Sequence, residues 1–350
     1  MNFAVTGGGS GGHIFPALAV AQYLQDQGHR VAYVGARGGM EEGLVPETGI
    51  EFLALPAGKY NRGALEPREA IKAINGLLAA RRMLSRLRPD AVLTTGGFAG
   101  FPFAYVAELK RRPVIILEQN AVMGLANRWL APRAWRIALA IDTELPQRYH
   151  KKKVITGMPI REERHPAIAA RLQLGFDPHK PVLLIMGGSQ GSLALNQLLP
   201  DLLRPWLNRW QVLHQTGKAG YQETAAKVAG WSGYRVSEFV DAPLAWSAAT
   251  AAITRAGATT LAEAAFHGVP LLALPLPASV DGGAQQRNAN FYADRGAVLL
   301  ADQNQPAQVS AALEILATDS AREQLQRSLA SLSPAGATER LASLLLEAAE

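Results

Sequence analysis

Short apolar runs alternate along the chain with longer stretches of helical period. In the first half, Phe3–Thr6, Val31–Val34, Ala91–Thr94, Val114–Leu117, Ile137–Ala140 and Val154–Ile155 read as strands. Between them, segments such as Ile14–Gln27 and Glu69–Arg86 repeat apolar positions at helical spacing. The pattern restarts at Pro181, with Val182–Met186, Val212–His214, Tyr234–Ser237, Ala251–Thr254, Pro270–Leu274 and Val298–Leu300. Alternation of this kind predicts parallel sheets with helices on both faces, one sheet in each of two α/β domains. The first domain is expected over 1–157 and the second over 158–337. Gly157-Met158-Pro159-Ile160-Arg161 is the expected hinge, and the last helix, Thr338 to Ala349, returns to the first domain.

Two strand-to-helix turns are rich in glycine: Gly7-Gly8-Gly9-Ser10-Gly11-Gly12-His13 and Gly187-Gly188-Ser189-Gln190-Gly191-Ser192. Glycine lets the backbone approach an anion, and the free N–H groups and dipole of the following helix favour negative charge there. Each domain is therefore expected to offer a helix N-terminus to a phosphate. His13 follows the first loop directly, where the helix dipole disfavours the imidazolium, which suits a general base. The alternative is a histidine that only caps or packs at the turn.

Gly7, Gly9 and Gly12 also fit the dinucleotide-binding fingerprint. That reading wants a carboxylate at the end of the second strand, where the chain instead reads Gly35-Ala36-Arg37. Arg37 would suit a 2′-phosphate, so a dinucleotide-dependent oxidoreductase stays open as an outsider. The P-loop ending in Lys-Ser or Lys-Thr is absent. No Asp-x-Asp motif occurs, Asp142-Thr143-Glu144 reads as a loop, and the other histidines lack ligand spacing, so no metal site is expected. In the second half, Thr259, Thr260 and Glu263 follow the strand Ala251–Thr254, where a carboxylate can accept from a ribose diol or simply serve a helix N-terminus.

The 350 residues are 48% apolar and 18% charged, and contain no cysteine, which fits a globular protein of a reducing compartment. No signal peptide or spanning segment is read, so a cytosolic or peripheral protein is expected. The net charge of +6 is unevenly placed: residues 1–157 hold 20 Lys and Arg against 12 Asp and Glu. Nucleic acid, an anionic membrane or a phosphorylated substrate would each account for that excess, as would a solvated surface. Ile71, Ile74, Leu77 and Leu78 form a stripe flanked by Arg68, Lys72, Arg81, Arg82, Arg86 and Arg88. The pattern fits an interfacial helix, but on the pattern alone an ordinary amphipathic helix packed on a sheet is the preferred reading. The basic segment Gly58-Lys59-Tyr60-Asn61-Arg62-Gly63 reads as a loop able to handle a phosphate.

Taken in order, Gly8 to Pro16, Glu118-Gln119-Asn120, Gly187 to Gly191, His214-Gln215-Thr216-Gly217-Lys218 and Gly257-Ala258 through Glu263 resemble the MurG family of peptidoglycan N-acetylglucosaminyltransferases. The resemblance implies a GT-B fold, two Rossmann-like domains facing across a cleft. It also implies inverting transfer of N-acetylglucosamine from UDP-N-acetylglucosamine to the C4 hydroxyl of the muramyl sugar of lipid I, giving lipid II. The second domain would take the donor through Arg161, Ser189, Gln190, Phe239, Val240, Thr259, Thr260, Glu263 and Gln285. Ser10, Gly11, Gly12 and Asn120 are added as UDP-N-acetylglucosamine contacts, on first-domain loops that also face the undecaprenyl-diphosphate acceptor. His13 would be the base and Glu118 its fallback. Lys59 and Phe98 would serve the acceptor, and Ile71, Ile74, Leu77 and Leu78 the membrane. An anionic membrane surface at the cytoplasmic face and other cell-wall synthesis proteins are the implied partners, with no nucleic acid, cofactor or metal. The runner-up is a relative of the same fold acting on another lipid, such as diacylglycerol.

The chain departs from the family pattern in several places. The family's His-Glu-Gln-Asn reads Leu117-Glu118-Gln119-Asn120, Gly-Asn-Pro reads Gly157-Met158-Pro159, and Arg-Ser-Gly reads Arg255-Ala256-Gly257. Phe98 stands where tyrosine is common, and 279–284 is lengthened.

Overall fold

A computed structural model describes residues 1–57 and 67–350. The chain divides into two compact units, Met1–Ile160 with Gly336–Glu350, and Arg161–Ala335.

The first unit holds a seven-stranded sheet of β1 (Asn2–Thr6), β2 (Arg30–Ala36), β3 (Glu51–Leu55), β4 (Ala91–Thr94), β5 (Val114–Glu118), β6 (Arg136–Leu139) and β7 (Lys153–Ile155). Every pairing is parallel and the order is β3-β2-β1-β4-β5-β6-β7. The helices are α1 (Gly11–Asp26), α2 (Met40–Leu44), α3 (Pro67–Leu87), α4 (Gly97–Leu109) and α5 (Leu125–Leu130). Parallel strands are joined by crossovers that lay helices on both faces, so β4 and β5 are buried throughout. The sequence pattern missed β3. It is an edge strand with a half-buried middle, although Phe52-Leu53-Ala54-Leu55 is an apolar run like those of the central strands.

The second unit repeats the plan. Its sheet contains β8 (Val182–Met186), β9 (Gln211–Gln215), β10 (Tyr234–Ser237), β11 (Ala251–Thr254), β12 (Leu271–Ala273) and β13 (Leu299–Leu300), in the parallel order β10-β9-β8-β11-β12-β13. Its helices are α6 (Ala167–Gln173), α7 (Leu193–Leu203), α8 (Tyr221–Lys227), α9 (Ala242–Ala248), α10 (Ala258–His267), α11 (Ala278–Asp281), α12 (Ala284–Ala293), α13 (Pro306–Leu316) and α14 (Asp319–Ala330). In both sheets the winding reverses beside the first strand of the unit, between β1 and β4 and between β8 and β11. The loops leaving those neighbours diverge and open a crevice at the carboxyl ends of the strands. Both glycine-rich loops sit at these points.

The final helix, α15 (Ala337–Ala349), belongs to the first unit. Leu341, Ala342, Leu344 and Leu345 join Ala17, Ala21 and Leu24 of α1 in one core cluster. The Arg340 Nε donates to the Thr156 carbonyl at 2.9 Å. Leu345 is fully buried there. Truncating it to alanine is expected to destabilise the protein by about 2–5 kcal/mol. A urea titration would read this as an earlier midpoint, and an unchanged midpoint would show that α15 does not complete this core.

Candidate functional site

Each unit builds a site at its own switch point. In the first, His13 stands in the opening turn of α1 beside the loop that follows β4. Its Nδ1 lies 2.8 Å from the Thr95 carbonyl oxygen, and the Thr95 hydroxyl donates to the His13 carbonyl at 2.8 Å. A carbonyl oxygen can only accept, so Nδ1 carries the ring proton and Nε2 keeps its lone pair. Burial lowers the imidazole pKa; Glu118, the Thr95 carbonyl and Glu41 act in the opposite direction. The ring is therefore neutral at physiological pH, with carboxylates placed to stabilise a proton it acquires.

Glu118 closes β5 and is 3% exposed. One carboxylate oxygen accepts from the Asn120 N–H at 3.0 Å; the other accepts from the Gly124 N–H and the Asn127 side-chain amide, both at 2.8 Å. A carboxylate so occupied orders the loop 119–124, and accepting a substrate proton would mean surrendering one of these bonds. Phe98 packs against Gly9, where an added Cβ would come within 2.6 Å of its ring. The loop carrying Ser10 and the first turn of α4, which carries Phe98, are thus in contact, and Gly11 and Gly12 open α1. The N–H groups of such a first turn have no intrahelical partner.

In the second unit the loops after β8 and β9 touch backbone to backbone. Gly191 and Gly217 have φ of 73° and 72°. A Cβ at Gly191 would stand 1.9 Å from the Thr216 carbonyl oxygen, and one at Gly217 would stand 2.0 Å from that of Gln190. Only glycine satisfies both the turn and the approach. Ser189 and Gln190 are exposed at the tip, and Ser192 caps α7. Arg255, 4% exposed, donates to the Ser192 hydroxyl at 2.8 Å, the Leu274 carbonyl at 2.8 Å and Gln303 Oε1 at 2.7 Å. Burial brings its pKa down to about 10, so it remains a cation behind the loop. Asn196 donates to the Thr216 carbonyl at 3.0 Å and accepts from His214 Nε2 at 3.0 Å, while His214 Nδ1 accepts from the Tyr234 hydroxyl at 2.9 Å. Burial holds His214 at about 3, neutral, as this chain of bonds requires.

Thr259 and Thr260 lie in the first turn of α10, and the Thr259 hydroxyl is buried without a partner. That leaves an unfilled hydrogen bond where a helix N-terminus already favours an anion. Glu263, one turn on, accepts from Trp246 Nε1 at 3.0 Å. Burial pushes its carboxyl up to about 7, opposed by the Trp246 bond and the charge of Arg161. Arg161 itself pairs with Asp241 and Glu163, both at 3.0 Å. Phe239 is 60% exposed just past β10, followed by half-buried Val240. Gln285 Oε1 accepts from the Leu276 N–H at 3.1 Å and the Ala256 N–H at 3.3 Å, whereas Gln286 is exposed and bonds to Asn290. Of the two neighbouring glutamines, Gln285 is the one turned to the strand-end loops.

The stripe on α3 belongs to the first unit. Ile71 and Ile74 are each 58% exposed and Leu78 is 53% exposed. Leu77 corrects the expectation: it is only half-exposed and packs on the core with Ala80 and Leu84. Three residues further along a helix keeps nearly the same face, and Leu77, Ala80 and Leu84 follow that spacing. Lys59 and its loop fall outside the described residues. Leu117, Met158 and Ala256, the departures from the family pattern, are all buried, so each acts through packing. No helix among the described residues is long and apolar enough to cross a membrane.

The glycosyltransferase family 28 N-terminal domain matches residues 3–139, and its C-terminal domain matches 182–343. The chain is 51% identical to the UDP-N-acetylglucosamine–N-acetylmuramyl-(pentapeptide) pyrophosphoryl-undecaprenol N-acetylglucosamine transferase of Thermus thermophilus, over 97% of this chain and 98% of that one. It is 41% identical to the transferase of the same name from Deinococcus radiodurans, over 85% and 82% of the two chains. The solved structure of Acinetobacter baumannii MurG superposes with a TM-score of 0.79 at 30% identity, over 99% of each chain. The chain belongs to the MurG family of glycosyltransferases. Its α/β units are those of the GT-B fold, and the oxidoreductase alternative falls away.

Within this MurG family member, sequence reasoning missed Glu41, Asn127 and Asn196. Their partners lie 5 to 32 residues away along the chain, and none of the three sits in a motif read from the sequence. Glu263 gives the sharpest test of the site's electrostatics. Its folded pKa of about 7 lies above the 4.5 of a free glutamate carboxyl, so the native state holds this proton where the unfolded chain has released it. The stabilisation is full below about pH 4.5 and is lost as pH rises through 7. Glu263→Gln lacks that loss, so its urea midpoint should gain on wild type between pH 5 and 8. Parallel curves would show that Glu263 titrates normally.

Proposed function

We propose that the chain transfers N-acetylglucosamine from UDP-N-acetylglucosamine to the C4 hydroxyl of the muramyl sugar of lipid I, forming lipid II with inversion, and that His13 is the base. The relation to the transferases at 51% identity over 97% of the chain supports the choice of donor and acceptor. One observation carries the mechanism: His13 Nδ1 is committed to the Thr95 carbonyl, which leaves the lone pair of the neutral ring on Nε2.

The acceptor O4 attacks C1 of the sugar while His13 Nε2 takes the hydroxyl proton. The bond from C1 to the diphosphate oxygen breaks, its electron pair leaves with UDP, and the α-linked donor gives a β-linked product in one displacement. The Nδ1–H bond to Thr95 and the charge of Glu118 stabilise the imidazolium that results. In the second unit, the Ser189-Gln190 loop, the N-termini of α7 and α10 and the unsatisfied Thr259 hydroxyl would meet the growing charge on the diphosphate, with the Arg255 cation behind them. Glu263 would hold the ribose, Phe239 and Val240 the uracil, Gln285 the sugar hydroxyls, and Arg161 the nucleotide after exchanging a present carboxylate partner. Glu118 and Asn120 would shape the acceptor side with Ser10 to Gly12 and Phe98. The exposed Ile71, Ile74 and Leu78, edged by basic residues, would seat the first unit as a peripheral protein on anionic lipid at the cytoplasmic membrane face.

The test is transfer of radiolabelled N-acetylglucosamine to a short-chain lipid I analogue, with EDTA present and diacylglycerol as a competing acceptor. His13→Ala should lower kcat by about 10²–10⁴-fold while UDP binding persists. Full activity in that variant would remove His13 as base, and transfer to diacylglycerol alone would replace the acceptor.

A further inference from the structure

The first glycine loop is already occupied by a carboxylate from its own chain. Glu41, in the first turn of the short helix α2, is fully buried. Its Oε1 accepts from the Ala36 N–H at 2.9 Å and its Oε2 from the Gly9 N–H at 3.4 Å. Three glycines clear the space. A Cβ at Gly8 would stand 2.1 Å from Oε1, one at Gly35 2.5 Å from Cγ, and one at Gly39 2.7 Å from Cδ. The loop is also held through its carbonyl, since the buried Tyr33 hydroxyl donates to Gly7 at 3.1 Å. Among the described residues no Lys or Arg pairs with Glu41. A buried carboxylate without a cation costs stability, and a neutral side chain would hold the fold more cheaply.

We propose that Glu41 is a positioning residue for the transfer: its carboxylate fills the anion cradle of loop 7–12, fixing the loop that carries His13, and supplies negative charge to the imidazolium that His13 becomes. This rests on the reading of His13 as base. The groups acting on His13 are Glu118 from β5, Glu41 from α2 and the Thr95 carbonyl after β4. Removing one of the two negative charges makes the ring harder to protonate, so it titrates at lower pH. Glu41→Asp keeps the charge and withdraws it from Gly9 by one methylene, separating charge from placement.

The experiment is a pH profile of kcat for the full chain, with the His13 imidazole followed by NMR in the same variants. Glu41→Gln should lower kcat about 10- to 100-fold, leave KM for UDP-N-acetylglucosamine within about twofold, and move both the acid limb and the His13 titration to lower pH. Glu41→Asp should keep the limb near its wild-type position with kcat still reduced. A purely structural role predicts lower stability with an unmoved limb and full kcat per folded molecule, which would overturn the proposal. If Glu41→Gln fails to fold, full kcat in Glu41→Asp overturns it instead. His13→Ala separates the two levels. Activity in that variant sinks the base reading and this proposal together. An inactive His13→Ala beside an unmoved Glu41→Gln limb sinks this proposal alone.

Discussion

Backbone N–H groups gathered at the carboxyl end of a parallel sheet attract negative charge, and the two units satisfy that demand differently. In the first, a carboxylate from the same chain takes the Gly9 N–H, and the loop becomes a fixed platform for His13. In the second, the loop tip at Ser189 and Gln190 is exposed, a cation stands behind it, and a buried hydroxyl at the next helix lacks a partner. In the proposed mechanism the first crevice would hold the base and the second would receive the diphosphate. The same doubly wound architecture serves both, and the difference lies in a few side chains that neither loop motif contains.

Rigidity at both places comes from close approach rather than from strong single bonds. Gly191 and Gly217 let two loops share a backbone contact, and the Asn196–His214–Tyr234 chain holds the strands beneath it. Each neutral bond contributes only about 0.5–1.5 kcal/mol. Leaving any of these buried groups unpaired costs more, so the network favours one arrangement of the loop. The arginine that ties Ser192 to Gln303 and the end of β12 extends that arrangement across the sheet.

Much of this was legible in the sequence, because central strands of a parallel sheet are apolar on both faces and stand out as short runs. β5 and β8 read directly; β3 was missed, although Phe52–Leu55 is such a run, and the structure places it at the sheet edge with its middle only half-buried. His13 and the second glycine loop stood out because strand, glycine and polar residue are neighbours along the chain, whereas Gln285 came only from the family resemblance. Glu41 did not stand out, since its meaning depends on Gly8, Gly35 and Gly39 meeting in space. Leu77 shows the limit of a stripe: apolar residues at helical spacing belong to two faces when a helix is both packed and exposed, and only the neighbouring layer decides which. Glu118 is a similar case, a motif carboxylate whose surroundings commit it to ordering a loop.

The central claim is that the glycine loop of the second unit, and not that of the first, receives the nucleotide diphosphate. Amide hydrogen exchange on the full chain with saturating UDP tests it most directly. The account predicts slowed exchange over 187–192 and 256–263, with 7–12 unchanged. Protection centred on 7–12, with the second loop exchanging as in the free protein, would contradict it.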